Sequence, residues 1–117
     1  MSRFLKTDSL FRQLILKERP NKCERCGKTE TLQIAHILAK GCHPRLRYQR
    51  CNVLILCVGC HLFWAHRNPL EFREWLVSYK GGDPLNTLRT MERSLAKTDL
   101  KMITLCLQKE LQALKTI

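Results

Sequence analysis

The sequence predicts a small α+β domain, mostly helical, and three observations predict it. Two Cys-x-x-Cys pairs, Cys23/Cys26 and Cys57/Cys60, stand in the first half of the chain. Two short β-compatible runs lie between and against these pairs. Helix-periodic segments with recognisable caps precede and follow them. A chain of 117 residues is enough for one compact domain. A core that small gains much from a metal staple.

Residues 8–17 read as a helix. Asp8 or Ser9 can cap it, and Leu10, Phe11, Leu14 and Ile15 recur at helical spacing. Pro20-Asn21 ends the element, and the first cysteine pair follows. Residues 31–38 are short and β-compatible, with Leu32, Ile34 and His36 on alternating positions and so on one face. Residues 41–50 read as a loop rich in arginine. Residues 52–56 (NVLIL) are apolar and partly β-branched, a second strand or buried turn leading to Cys57. A helix is expected from Val58 to about His66, broken by Asn68-Pro69. Residues 69–79 form a strong helix, with Asn68 as its N-cap and Gly81-Gly82 as its stop. Asp83-Pro84 opens another by the cap-then-proline rule. Thr98 or Asp99 can cap a last helix carrying Leu100, Ile103, Leu107, Leu111 and Leu114 at spacings of three and four. The organisation is one domain over 1–117: an N-terminal helix (1–20), a metal-bound ββα core (21–68) and C-terminal helices (69–117). The apolar stripe of the last helix is expected to pack on the domain itself, with homodimerisation as the alternative.

The formal net charge is +11, a balance that favours a polyanionic partner, usually nucleic acid. Its distribution is sharper than its total. Residues 31–70 contain no Asp or Glu, yet carry Lys40, Arg45, Arg47, Arg50, Arg67 and all four histidines. These five cations are the expected phosphate-gripping residues. Trp64 and Trp75 sit beside apolar neighbours and read as packing residues. No apolar run reaches transmembrane length, and the opening MSRFLKTDSLF is too polar for a secretory leader. No membrane partner is expected.

Seven cysteines without a leader argue against a disulfide framework. Cys23, Cys26, Cys57 and Cys60 suit one tetrahedral structural zinc, two thiolates from each pair. Cys42, Cys51 and Cys106 are then ordinary small residues, expected to be mostly buried. His36, Asn52 and His61 are surplus to a four-cysteine zinc, although His61 could replace a cysteine or lie on the surface. On an α-helix His61 is rotated about 100° from Cys60, so one helix can serve two metals. Hydrolysis of a phosphodiester needs a Lewis acid on the phosphate, a base for the water and something to hold that base. Histidine titrates near neutrality and suits the base.

The order CERC, IAHI, Asn52, LCVGCH resembles the HNH endonuclease superfamily (ββα-metal) with an added four-cysteine zinc. Within it, DSLFRQLILKERPNKCERCGK and AHILAKGCHPRLRYQRCN are similar to segments of phage recombination nucleases of the NinG/Rap type. The resemblance covers roughly residues 8–93 and is strong over 23–61. It implies His36 as general base, Asn52 as the residue that supports the loop and orients that base, and His61 as ligand of a catalytic ion, Mg²⁺ or Mn²⁺. It implies DNA as partner, branched or recombining DNA as substrate, and a cytoplasmic setting in a bacterial host if the chain is phage or prophage encoded. Two positions depart from the pattern. Ala35 stands where many HNH sites place an Asp or His ligand, and His61 where NinG-type proteins can carry Asn. Phosphate oxygens and water would complete the ion's shell, or His43 or His66 would help. His66, five residues after His61, is off-register for an α-helical face. The rival readings are a non-catalytic zinc-ribbon DNA binder and a zinc-stapled adaptor that binds a protein through its last helix.

Overall fold

In the computed structural model, which describes residues 4–115, the two expected strands pair as an antiparallel hairpin. Strand β1 is Leu32–His36 and β2 is Val53–Cys57. Their register sets Ile34 opposite Ile55 and Ala35 opposite Leu54. Every residue of β2 is buried, which explains why VLILC is continuously apolar rather than alternating. Its two faces serve two cores. Val53 and Ile55 pack against Phe11, Leu14, Ile15, Leu107 and Leu111. Leu54 and Leu56 pack with Ala35, Leu76 and three of the paired cysteines.

The first core is closed by α1 (Lys6–Glu18) and α4 (Leu100–Lys115). Helix α1 begins two residues before the expected start. Asp8 therefore acts at its third position, where a carboxylate oxygen accepts the Leu5 N–H at 2.6 Å. In α4 the middle of the expected stripe is inward: Leu107 and Leu111 are buried and Ile103 is half-buried, whereas Leu100 and Leu114 at its ends are exposed. Asp99 caps it, accepting from Lys101 and Met102 N–H.

The second core is covered by α2 (Pro69–Lys80), which ends where Gly81 takes a left-handed φ of 75°. Trp64 and Trp75 pack against this core, as their apolar settings implied, and Phe72 joins them. Helix α3 (Pro84–Ser94) is capped by Asp83, which accepts from Leu85 and Asn86 N–H. Its Leu88 joins Leu38 and Leu46 in a third, smaller core over the loop between the strands. That loop contains two short 3₁₀ turns, Pro44–Leu46 and Arg50–Asn52.

The expected helix after Cys57 is a π-helix, Gly59–Ala65. Its i→i+5 bonding is seen in the His66 N–H donating to the His61 carbonyl at 3.1 Å. No helix is long and apolar enough to cross a membrane among the described residues. Residues 1–3 of the leader reading and 116–117 of the C-terminal half lie outside the described residues.

Candidate metal centre and active-site cleft

The four paired cysteines converge. Their Sγ atoms all lie within 4.8 Å of one another. Cys26 and Cys57 are 3.7 Å apart, and a tetrahedral zinc with Zn–S of about 2.3 Å separates sulfurs by about 3.8 Å. The knuckle turns supply the usual support for thiolates. Cys26 N–H points at Cys23 Sγ (3.5 Å) and Cys60 N–H at Cys57 Sγ (3.4 Å). Gly27 completes the first turn at a φ of 80°, a conformation that favours glycine. Burial pushes the Cys60 thiol up to about 12. Burial acts the same way on Cys23, but the backbone N–H groups of Cys26, Cys57 and Arg25 outweigh it and bring that thiol down to about 6.

The charge of bound thiolates has a counter-ion in place. Arg25 Nη1 lies 3.6 Å from Cys60 Sγ. Its guanidinium stacks 3.6 Å from the centre of the Trp64 ring. Glu24 ties the first knuckle to the rest of the molecule, accepting from Ile55 N–H (2.6 Å) and from the Tyr79 hydroxyl (2.7 Å). The donor set and its spacing fit zinc. His61 is not part of this cluster. Cys42, Cys51 and Cys106, expected to be mostly buried, are all exposed. Cys42 and Cys51 sit on the connecting loop, where Cys51 Sγ lies 3.7 Å from Met91 Sδ, and Cys106 sits on α4.

On the other side, His36 and His61 line one open cleft of about 770 Å³, together with His66, Lys40, Arg12 and Phe4. His36 ends β1. Its Nε2 lies 2.9 Å from the Arg47 carbonyl. A carbonyl only accepts, so Nε2 carries the proton and Nδ1 of the neutral ring keeps its lone pair. Burial lowers the His36 pKa below its ordinary value, and the nearby Lys40 acts the same way against the Arg47 carbonyl, which raises it. The ring is therefore neutral at pH 7.

Asn52 is fully buried at the far end of the loop. Its Oδ1 accepts the Leu38 N–H at 2.9 Å, and its Nδ2 donates to the carbonyls of Leu38 and Leu46, both at 3.1 Å. The side chain thus closes the loop that presents the Arg47 carbonyl to His36. His61 Nδ1 lies 2.8 Å from Gln33 Oε1, again an acceptor, so its Nε2 is the free nitrogen. Burial, with His66 and His36 nearby, lowers its pKa to about 4.

The expected phosphate-gripping residues divide. Lys40 lines the cleft, Arg45 is exposed, and Arg67 stands over the Phe63 ring. Arg47 and Arg50 are instead paired with carboxylates of the protein itself, Arg47 largely buried and Arg50 at the surface. Arg47 makes a two-pronged, largely buried ion pair with Asp8 (2.9 and 2.5 Å). Arg50 bridges Glu18 (2.7 Å) and Glu110, joining α1 to α4. All three partners lie outside the acid-free segment, so the local count of charges overstated its free cations. His43 pairs with Glu92 of α3 at 3.0 Å and is not among the residues lining the cleft.

The sequence reading missed Arg12, Phe4 and Gln33, which reach the cleft from α1, its preceding turn and β1. It also placed His66 off-register. The π-helix undoes that objection: with one more residue per hydrogen-bonded turn, position 66 overlies position 61, and the two rings are 4.6 Å apart. Comparison with protein-family models, curated proteins and solved structures finds no match to the chain.

Proposed function

We propose that the protein is a metal-dependent DNA endonuclease of the HNH type. The observation that carries this reading is one cleft lined by two histidines, each with one ring nitrogen hydrogen-bonded to an acceptor and the other left without one. His36 offers Nδ1 as a base, and His61 offers Nε2 as a metal ligand. In this reading His36 takes the proton of the attacking water while the Arg47 carbonyl holds its ring. Asn52 keeps that carbonyl in place. A divalent ion held by His61 would polarise the scissile phosphate and offset its developing charge. Lys40 and Arg12 at the cleft favour an approaching phosphate backbone. The four cysteines would hold a structural zinc. The Mg²⁺ or Mn²⁺ expectation, the phage setting and the preference for recombination intermediates rest on the sequence resemblance.

The experiment is cleavage of supercoiled plasmid and of a four-way junction with Mg²⁺, Mn²⁺ or EDTA. His36→Ala, folded and zinc-loaded, is expected to lower the rate by about 10²–10⁴-fold. Cutting that survives this substitution would sink the assignment. The rival reading, a zinc-bound DNA binder without catalysis, draws support from one observation. Among the described residues no second group of three His, Cys, Asp or Glu side chains converges. It predicts salt-sensitive binding and no cutting with any ion.

A further inference from the structure

From the π-helix we infer that His61 and His66 form a two-imidazole site for a borderline divalent ion such as Ni²⁺ or Zn²⁺, distinct from the four-cysteine centre. The inference rests on the nuclease reading for the ion's task, but not for its binding.

Neither ring would reach the other on an α-helix, where a residue five positions on has turned well away. Here the His66 N–H bonds back to the His61 carbonyl, and the ring centres come to 4.6 Å at an interplanar angle of 73°. A metal about 2.1 Å from a ring nitrogen lies about 3.2 Å from that ring's centre. Two such legs spanning the observed gap enclose an angle of about 90°, within reach of tetrahedral or octahedral coordination. Gln33 holds the Nδ1 proton of His61 and so fixes which nitrogen is free, the role that outer partners of ligating histidines play. His66 is exposed on the same cleft, and its ring nitrogens have no hydrogen-bond partner among the described residues.

The donor type sets the choice of ion. Mg²⁺ prefers oxygen ligands in a near-ideal octahedron. Imidazole suits zinc, copper, iron and nickel. Asp8, the one carboxylate lining the cleft, is engaged by Arg47. The site thus compensates for Ala35 with a nitrogen ligand from the helix, and it shifts the preferred ion away from Mg²⁺.

The test is calorimetric titration of the full-length, zinc-loaded protein with Ni²⁺ and with Mg²⁺, in the absence of DNA. Near-UV absorbance is followed for thiolate-to-nickel charge transfer. One Ni²⁺ is expected to bind without that band, and Mg²⁺ to give no measurable uptake. His61→Ala and His66→Ala should each weaken Ni²⁺ by about tenfold or more. His66→Asp, which restores a ligand with an oxygen, should regain uptake and favour Mn²⁺, excluding a merely unfolded variant. Unchanged Ni²⁺ affinity in folded His66→Ala overturns the pair, as does uptake accompanied throughout by the thiolate band. Plasmid cleavage run in parallel separates the two readings. Ni²⁺ binding that needs both histidines in a protein that cuts nothing keeps the site and removes the nuclease. Cutting that His66→Ala leaves intact with every ion keeps the nuclease and removes the site.

Discussion

Asn52 shows how one small side chain can fix a whole loop. It is fully buried and satisfies three backbone groups of the loop between the strands. Asn52→Leu would leave those groups without partners in a dry setting. It is expected to cost about 3 kcal/mol in urea denaturation. Asp8 and Arg47 make a second buried contact of this kind. The Asp8 carboxyl is opposed by burial but held below its ordinary range by Arg47 and the Leu5 N–H. Its folded pKa is depressed, so its contribution is fully present above the unfolded value near 3.8 and is lost as pH falls through the lower folded value. Asp8→Asn should remove that acid limb from a stability–pH profile. It should also destabilise at neutral pH by about 3–5 kcal/mol, since Arg47 keeps its charge without its partner. For His36 the sign concerns the proposed activity. Burial lowers its pKa, so the neutral base persists below 6.5. Cleavage should hold constant through neutrality and decline only as pH falls through that lowered value. A decline already under way at pH 7.5 would assign the base to another group.

At the level of elements, local chemistry was legible at the end of α2 and the start of α3, but not at the start of α1, where Leu5 rather than Asp8 or Ser9 holds the cap position. Asp83-Pro84 opens α3 and Gly81 closes α2 as their residue types dictate. Asp83→Ala should therefore cost about 1 kcal/mol by loss of the cap, read as a lower melting temperature. The strands were legible from their β-branched, apolar content, and the four cysteines from their spacing alone. What escaped the sequence depended on partners distant in the chain or on the choice between helical hydrogen-bond patterns. Asp8 lies 39 residues from Arg47 and Glu110 lies 60 from Arg50, so a loop of arginines looked free when two of them were pinned. The π-helix has no signature in residue type. A reading at α-helical pitch placed the Cys60–His61 neighbours sensibly, but it separated His61 from His66. The same five-residue turn is what brings both rings to the cleft.

For the whole molecule, the decisive term would be the metal that the four converging cysteines can hold. A two-stranded hairpin is marginal by itself. This one is held from both sides: by α1 and α4 on one face, and by a core that includes Cys23, Cys57 and Cys60 on the other. The second core contains few large buried side chains, chiefly Leu54, Leu56 and Leu76, so the sulfurs stand where a larger protein would place hydrocarbon. Structural zinc contributes about 10–16 kcal/mol in small zinc-finger peptides, as large as the whole stability of about 5–15 kcal/mol typical of a native protein. Chelation under reducing conditions should thus abolish the cooperative melt of the zinc side. The near-UV signal of Trp64 and Trp75, which lie beside that centre, should collapse. Part of the far-UV helical signal should remain, because α1 and α4 bury Phe11, Leu14, Ile15, Leu107 and Leu111 without any cysteine. Adding back one equivalent of zinc should restore both the tryptophan signal and the melt. A metal-free protein that melts as sharply and as late as the loaded one would instead show that the leucines of the second core suffice. The zinc would then be needed only to set the π-helix, and with it His61, against β1.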